Sequence, residues 1–131
     1  MSRTKANLEK LIKKFMRDIY TSELPPSLRI LRESNPDFLE KWLELRDIAR
    51  HEGLLPLKTR HLVWLTAQAM RLNRQACAVH VKGALDAGAE TREIIETAMI
   101  LYITAGGTVG DTILEALKAA TSIKTEESAP S

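Results

Sequence analysis

Hydrophobic side chains recur at helical spacing through most of the chain. Over residues 6–20 they fall three or four positions apart, which places them on a single stripe of a helix. The stripe consists of Leu8, Leu11, Ile12, Phe15, Met16 and Ile19. This pattern predicts an amphipathic first helix. Leu24, Pro25 and Pro26 then interrupt it, because proline lacks an N–H and restricts the residue before it.

Five further helices are predicted after this break, each with a local start or stop signal. Asn35 and Pro36 are typical of a helix start, and Thr91 is predicted to cap a later helix. The stop signals are glycines, namely Gly53, Gly88 and the pair Gly106-Gly107. The predicted spans are 36–52, 57–72, 73–87, 91–105 and 108–121.

No segment of useful length alternates apolar and polar side chains, so the predicted fold class is all-α, with six helices in one domain. Residues 1–34 are predicted to form the N-terminal amphipathic helix and a Pro-Pro linker. Residues 35–122 form the helical domain, and the polar residues 123–131 are predicted to be a disordered tail.

Two predicted helices contain segments that are apolar around their whole circumference, at residues 62–70 and 98–103. A chain of 131 residues has difficulty burying two such segments completely. We therefore expect part of this surface to be buried between subunits of a homo-oligomer.

Composition and charge narrow the class of protein. The chain is 44% hydrophobic and 27% charged, which is typical of a soluble globular domain. The formal charge of +2 excludes a strongly basic nucleic-acid protein, so no nucleic-acid partner is expected. The first twenty residues hold six basic and two acidic side chains. A solvated helix face explains this cluster, and contact with an acidic partner or a membrane surface is the alternative.

The single cysteine, Cys77, excludes an intrachain disulfide and a zinc site built from cysteines, and it favours a reducing, cytoplasmic location. No apolar run approaches the length of a membrane span, and the charged start lacks the apolar stretch of a signal peptide. We expect no membrane association. We also expect no metal and no cofactor, because phosphate-binding loops and helical metal pairs are absent from the sequence.

Candidate chemistry centres on His80. Small residues share its helix face, namely Ala76, Cys77, Gly83 and Ala84. Cys77 lies three positions before His80, so the thiol and the imidazole can approach each other. His61, in the preceding predicted helix, is a further candidate. The structural alternatives are a packed core histidine for His80 and a small buried hydrophobe for Cys77.

Two segments carry a resemblance to a known family. The residues LKTRHLV at 57–63 and CAVHVKGALDAGAETREIIE at 77–96 resemble the carboxymuconolactone decarboxylase family, which shares its all-helical fold with the alkylhydroperoxidase D-like proteins. The spacing of His80, Ala84 and Gly88 is similar to the family signature. The resemblance covers about residues 36–120. It implies a trimer or hexamer with a small-molecule pocket near the helix that carries His80.

In the peroxidase branch of this superfamily, a Cys-x-x-Cys pair precedes the histidine and a glutamate in the preceding helix completes a proton relay. The corresponding positions here hold Asn73, Ala76 and His61. Cys77 is displaced by one residue, which is about 100° around the helix. A two-cysteine reaction needs a second thiol, which this chain lacks.

The decarboxylase branch needs no cysteine pair. The resemblance implies acid–base chemistry on a small, lactone-type organic acid, with His80 as proton donor and acceptor and His61 as a second polar group. Two alternatives stay open. One is a one-cysteine hydroperoxide reductase, an antioxidant activity that uses Cys77 and an external thiol. The other is a non-catalytic oligomeric binding or scaffold protein that keeps the fold.

Overall fold

The computed structural model describes residues 3–51 and 53–121, which form seven α-helices and no β-strand. The predicted all-α class is therefore confirmed. The helices are α1 (Arg3–Asp18), α2 (Pro26–Ser34), α3 (Pro36–Arg50), α4 (Leu57–Met70), α5 (Arg74–Asp86), α6 (Thr91–Thr104) and α7 (Gly107–Ala120). The tail predicted for residues 123–131 lies outside the described residues.

Helix α2 adds one helix to the six that were predicted. Pro26 occupies its first position, where the missing N–H would have had no helical acceptor. The Pro-Pro sequence therefore starts a helix, whereas α1 has already ended at Asp18. Leu28 and Leu31 pack against the neighbouring core, which gives this short helix an apolar side. The segment predicted as a linker thus contains ordered helix.

Helices α5 and α6 end close to the glycines that were predicted to stop them. Gly88 and Gly106 have φ values of +101° and +102°, in a region that side-chain-bearing residues rarely adopt. The start of α6 differs from the prediction. Its N-cap is Glu90, whereas Thr91 is the first helical residue, because Glu90 and Glu93 form a reciprocal capping box.

The chain divides into two units, and the first spans residues 1–51. In this unit α1 and α2 both pack against α3. The buried side chains are Leu8, Ile12, Phe15, Leu24, Leu39 and Leu43. On the polar side, Lys14 forms an ion pair with Asp47 at 2.7 Å.

The second unit spans residues 52–131 and contains α4 to α7. Helix α5 packs against both α4 and α7, and α6 packs against α7. The fully buried side chains are Leu65, Ala69, Cys77, Val81, Ala84, Ile94, Ala98, Ile113 and Ala116. Several of the buried residues on α5 are small, which allows its neighbours to approach closely.

The two segments predicted to be apolar on all sides are buried on one side only within this subunit. In α4, Leu65 and Ala69 are buried while Val63 and Met70 are exposed. In α6 the exposed set is Ile95, Met99, Ile100 and Ile103. The second unit therefore leaves a large amount of apolar surface uncovered.

Within residues 3–51 and 53–121, none of the helices combines the length and the apolar character that crossing a membrane requires.

Candidate functional site

Two histidines from neighbouring helices meet inside the second unit. His61 lies in the first turns of α4 and His80 near the middle of α5. Their Nδ1 atoms are 3.2 Å apart, and the side chains are only 3% and 5% exposed. The tight packing of α5 against α4 thus brings together two residues that are nineteen positions apart in sequence.

The facing Nδ1 atoms constrain where protons can lie. A neutral imidazole has one nitrogen that donates and one that accepts, so one Nδ1 donates to the other across this contact. Protons on both facing atoms would set two donors against each other. At most one of these two nitrogens therefore carries a proton while they are hydrogen-bonded, in a part of the protein with little access to water.

Trp64 completes this cluster. Its ring stacks on the imidazole of His80, with 4.5 Å between ring centroids and 14° between ring planes. The indole thus covers one face of the His80 ring and fixes its orientation. Trp64 was missed from the sequence. It lies three positions after His61, and that spacing on one helix face was the available signal.

Cys77 has a different environment from the two histidines. Its side chain is fully buried in the apolar core, and the S–H group donates to the backbone carbonyl of Leu65 at 3.5 Å. Burial raises the pKa of the thiol to about 12. The structure thus brings His61 and His80 together and places Cys77 in the core of the unit.

Asn73 and Ala76, where the resemblance places the peroxidase cysteine pair, form a helix cap. Asn73 is the N-cap of α5, and its side-chain oxygen accepts a hydrogen bond from the backbone N–H of Ala76 at 3.0 Å. An asparagine in this position stabilises the start of the helix. The residues at both positions therefore have a local structural role in this chain.

The third histidine, His51, caps the C-terminal end of α3 in the first unit, where it is exposed and contacts Asp47. A shallow pocket in that unit contains none of the predicted site residues. Its lining residues are Leu11, Lys14, Phe15, Asp18, Leu43, Arg46 and Asp47. In the described part of the chain, no group of three or more potential ligand side chains is arranged to hold a metal ion.

Comparisons with known proteins agree with the resemblance seen in the sequence. The model of the carboxymuconolactone decarboxylase family matches residues 36–121. The chain is also similar to a crystal structure from Burkholderia xenovorans LB400, of a protein provisionally described as a carboxymuconolactone decarboxylase. The TM-score is 0.72 at 22% identity, and the match covers 93% of this chain and 99% of the other, which supports a common fold. No curated protein matches the sequence.

Proposed function

Because the chain belongs to the carboxymuconolactone decarboxylase family, we propose that it is an enzyme that performs acid–base chemistry on a small, lactone-type organic acid. The observation that supports this proposal is the buried contact between Nδ1 of His61 and Nδ1 of His80. Two imidazoles that share a proton form a group that can give up a proton and recover it.

The proposed reaction is a decarboxylation. The bond between the carboxylate carbon and the lactone breaks, carbon dioxide leaves, and the electron pair stays on the organic fragment as an enolate. His80 then transfers a proton to a carbon atom of this enolate, which restores a neutral lactone ring. Solvent protonates the histidine again, so the reaction is balanced without a cofactor.

His61 has a supporting role in this proposal. Its Nδ1 contacts Nδ1 of His80, so it orients the ring and determines which nitrogen of His80 carries the proton. It occupies the position where the peroxidase branch has a glutamate. A second imidazole can both donate and accept at this position, whereas an ionised carboxylate only accepts.

The test compares turnover of carboxymuconolactone in the native protein and in His80→Gln. Turnover is measured by the release of carbon dioxide. Glutamine keeps a polar side chain in the buried position but has no titratable nitrogen. We expect the rate to fall by about 10²–10⁴, the usual contribution of a general acid. His51→Gln is the matched control and should keep the full rate. Undiminished turnover in folded His80→Gln would exclude the proposed role of His80.

A second candidate is a non-catalytic binding or scaffold protein. The observation that favours it is the low exposure of His80, which is stacked against Trp64. A histidine packed in this way can have a purely structural role, in which it holds α4 against α5. The two candidates differ in one readout, because a scaffold releases no carbon dioxide from carboxymuconolactone or from related lactone acids.

The one-cysteine peroxidase alternative gains no support from the geometry. A peroxide-reducing cysteine needs an accessible thiolate. Cys77 is fully buried, and its pKa is raised to about 12.

We also propose that the protein is a homo-oligomer, a trimer or a hexamer. The support is the exposed apolar side of α6. Met99 is 58% exposed and Ile103 is 87% exposed, with Ile95 and Ile100 beside them. Isolated subunits rarely leave such a contiguous set of large apolar side chains in water, so burial against other copies of the chain is expected.

A further inference from the structure

The helix that carries His80 has a glycine one turn later, directly against the ring of His61. Gly83 lies in the interior of α5 and is buried. A Cβ atom added to Gly83 would lie 2.5 Å from Cε1 of His61, 2.7 Å from Nδ1 and 2.8 Å from Nε2. The edge of the His61 ring therefore occupies the space that any larger residue would need for its side chain.

A glycine in the interior of a helix lowers the stability of the folded protein relative to alanine, so its presence at position 83 needs a structural explanation. It loses more backbone freedom on folding than any other residue and is less favourable than alanine in a helix interior. At position 83, an alanine would require the His61 ring to move by nearly 1 Å to restore ordinary van der Waals contact. The Nδ1 atoms of His61 and His80 are already 3.2 Å apart, at the long end of hydrogen-bond distances.

We propose that Gly83 is a positioning residue, whose missing side chain lets His61 reach His80. His80 and Gly83 are three residues apart on α5, so they face α4 together. His61 and Trp64 have the same spacing on α4. Helix α4 thus supplies His61 and the Trp64 ring that stacks on His80. Helix α5 supplies His80 and, at Gly83, the space that the His61 ring fills. The catalytic meaning of this arrangement rests on the proposed function.

The chain contains a matched control for this inference. A Cβ at Gly110, a buried glycine of α7, would lie 2.5 Å from Cγ of Tyr102. Gly110→Ala therefore introduces the same added methyl group and a similar overlap with an aromatic ring. The ring that it displaces is that of Tyr102 on α6, whose hydroxyl donates a hydrogen bond to Asp111 of α7.

The first experiment is a nuclear magnetic resonance spectrum of the imidazole nitrogens in protein labelled with ¹⁵N-histidine. In the native protein we expect one of the two buried histidines to carry its proton on Nδ1 and the other to have an unprotonated, accepting Nδ1. Gly83→Ala should change this pattern for His61 and His80, and Gly110→Ala should leave it unchanged. His51 provides an internal reference in every spectrum. An unchanged pattern in Gly83→Ala would overturn the inference.

The second experiment measures unfolding with Gly83→Ala in two backgrounds. With His61 present, the added methyl group should lower the ratio of folded to unfolded protein. With His61→Ala, the overlap is gone and the ordinary helix preference should raise that ratio about two- to fivefold. If Gly83→Ala alone does not fold, recovery of folding in the double variant supports the inference equally. The same effect in both backgrounds would contradict it.

These outcomes separate the inference from the proposed function. The spectra and the unfolding data need no substrate, so they test the placement of His61 alone. If His80→Gln keeps full turnover while Gly83→Ala disrupts the histidine pattern, the proposed function fails and the role of Gly83 stands. If instead His80→Gln loses turnover and Gly83→Ala leaves the histidine pattern unchanged, the proposed role of Gly83 is wrong and the role of His80 stands.

Discussion

At the scale of single residues, Cys77 and His80 show how much surroundings determine chemistry. Both are buried on α5, three positions apart. His80 faces polar and aromatic rings from α4, whereas the thiol of Cys77 has only a backbone carbonyl as its hydrogen-bond acceptor. A thiolate in that position would be poorly solvated, which is why burial raises the pKa of Cys77.

We expect Cys77 to be unreactive in the folded protein. The rise of its pKa from 9.0 to about 12 leaves about a thousandfold less thiolate near neutral pH. Labelling by iodoacetamide, followed by intact mass, should therefore be at least that much slower than for a free thiol. The control is the same measurement in denaturant, where labelling should be fast. Labelling of the native protein at the rate of a free thiol would restore the peroxidase alternative.

At the scale of elements, the start of α6 combines two stabilising contacts on one carboxylate. Glu93 accepts a hydrogen bond from the backbone N–H of Glu90 at 2.7 Å and pairs with Lys58 at 3.1 Å. The backbone N–H and the ammonium of Lys58 hold the pKa of Glu93 below its ordinary value of 4.5. The contact with Lys58 also ties the start of α6 to the first turn of α4, the helix that carries His61.

This arrangement predicts a stability that depends on pH. A carboxyl with a lowered pKa stabilises the folded state fully above its unfolded pKa, near 4.5, and this contribution is lost as the pH falls through the folded value. Glu93→Gln should therefore lower the melting temperature at pH 7, and the difference from the native protein should shrink below pH 4.5. Glu96→Gln, on the same helix, is the control. A difference for Glu93→Gln that does not change with pH would contradict the prediction.

At the scale of the whole molecule, the apolar side chains of α6 matter most. Their exposure in one subunit is the basis for proposing a homo-oligomer. A charge placed among them should prevent association while changing the folding of a single subunit little, because these side chains make few contacts within it.

We expect Ile103→Glu to dissociate the assembly. Sedimentation of the native protein should give three or six times the subunit mass of 14.7 kDa, and the variant should sediment near the mass of one subunit. Ile103→Leu keeps the apolar character and should assemble normally. A native protein that sediments as a single subunit at micromolar concentration would show that the proposal is wrong.

Local signals predicted most of the fold. The glycines at 88 and 106 end their helices as expected, because the preference for positive φ is a property of the residue itself. Helix α2 was missed because its Pro-Pro start is equally typical of a break, and the packing of its leucines decides between the two.

The candidate site was only partly predictable. His61 and His80 were identified as residues, but their contact depends on how closely α4 and α5 approach. Gly83 leaves the space on α5 that the ring of His61 fills. The stacking of Trp64 on His80 depends on the same approach, so no pattern within one helix could establish it.

The stack of Trp64 on His80 also gives the protein a built-in optical signal. An excited indole can transfer an electron to an imidazolium in van der Waals contact, which quenches its fluorescence, whereas a neutral imidazole is a much weaker acceptor. The chain has two tryptophans, and Trp42 lies on α3 in the first unit. Replacing Trp42 with phenylalanine leaves Trp64 as the sole tryptophan, which can be excited selectively. Its emission then reports the charge of His80 directly, without an added dye and in real time.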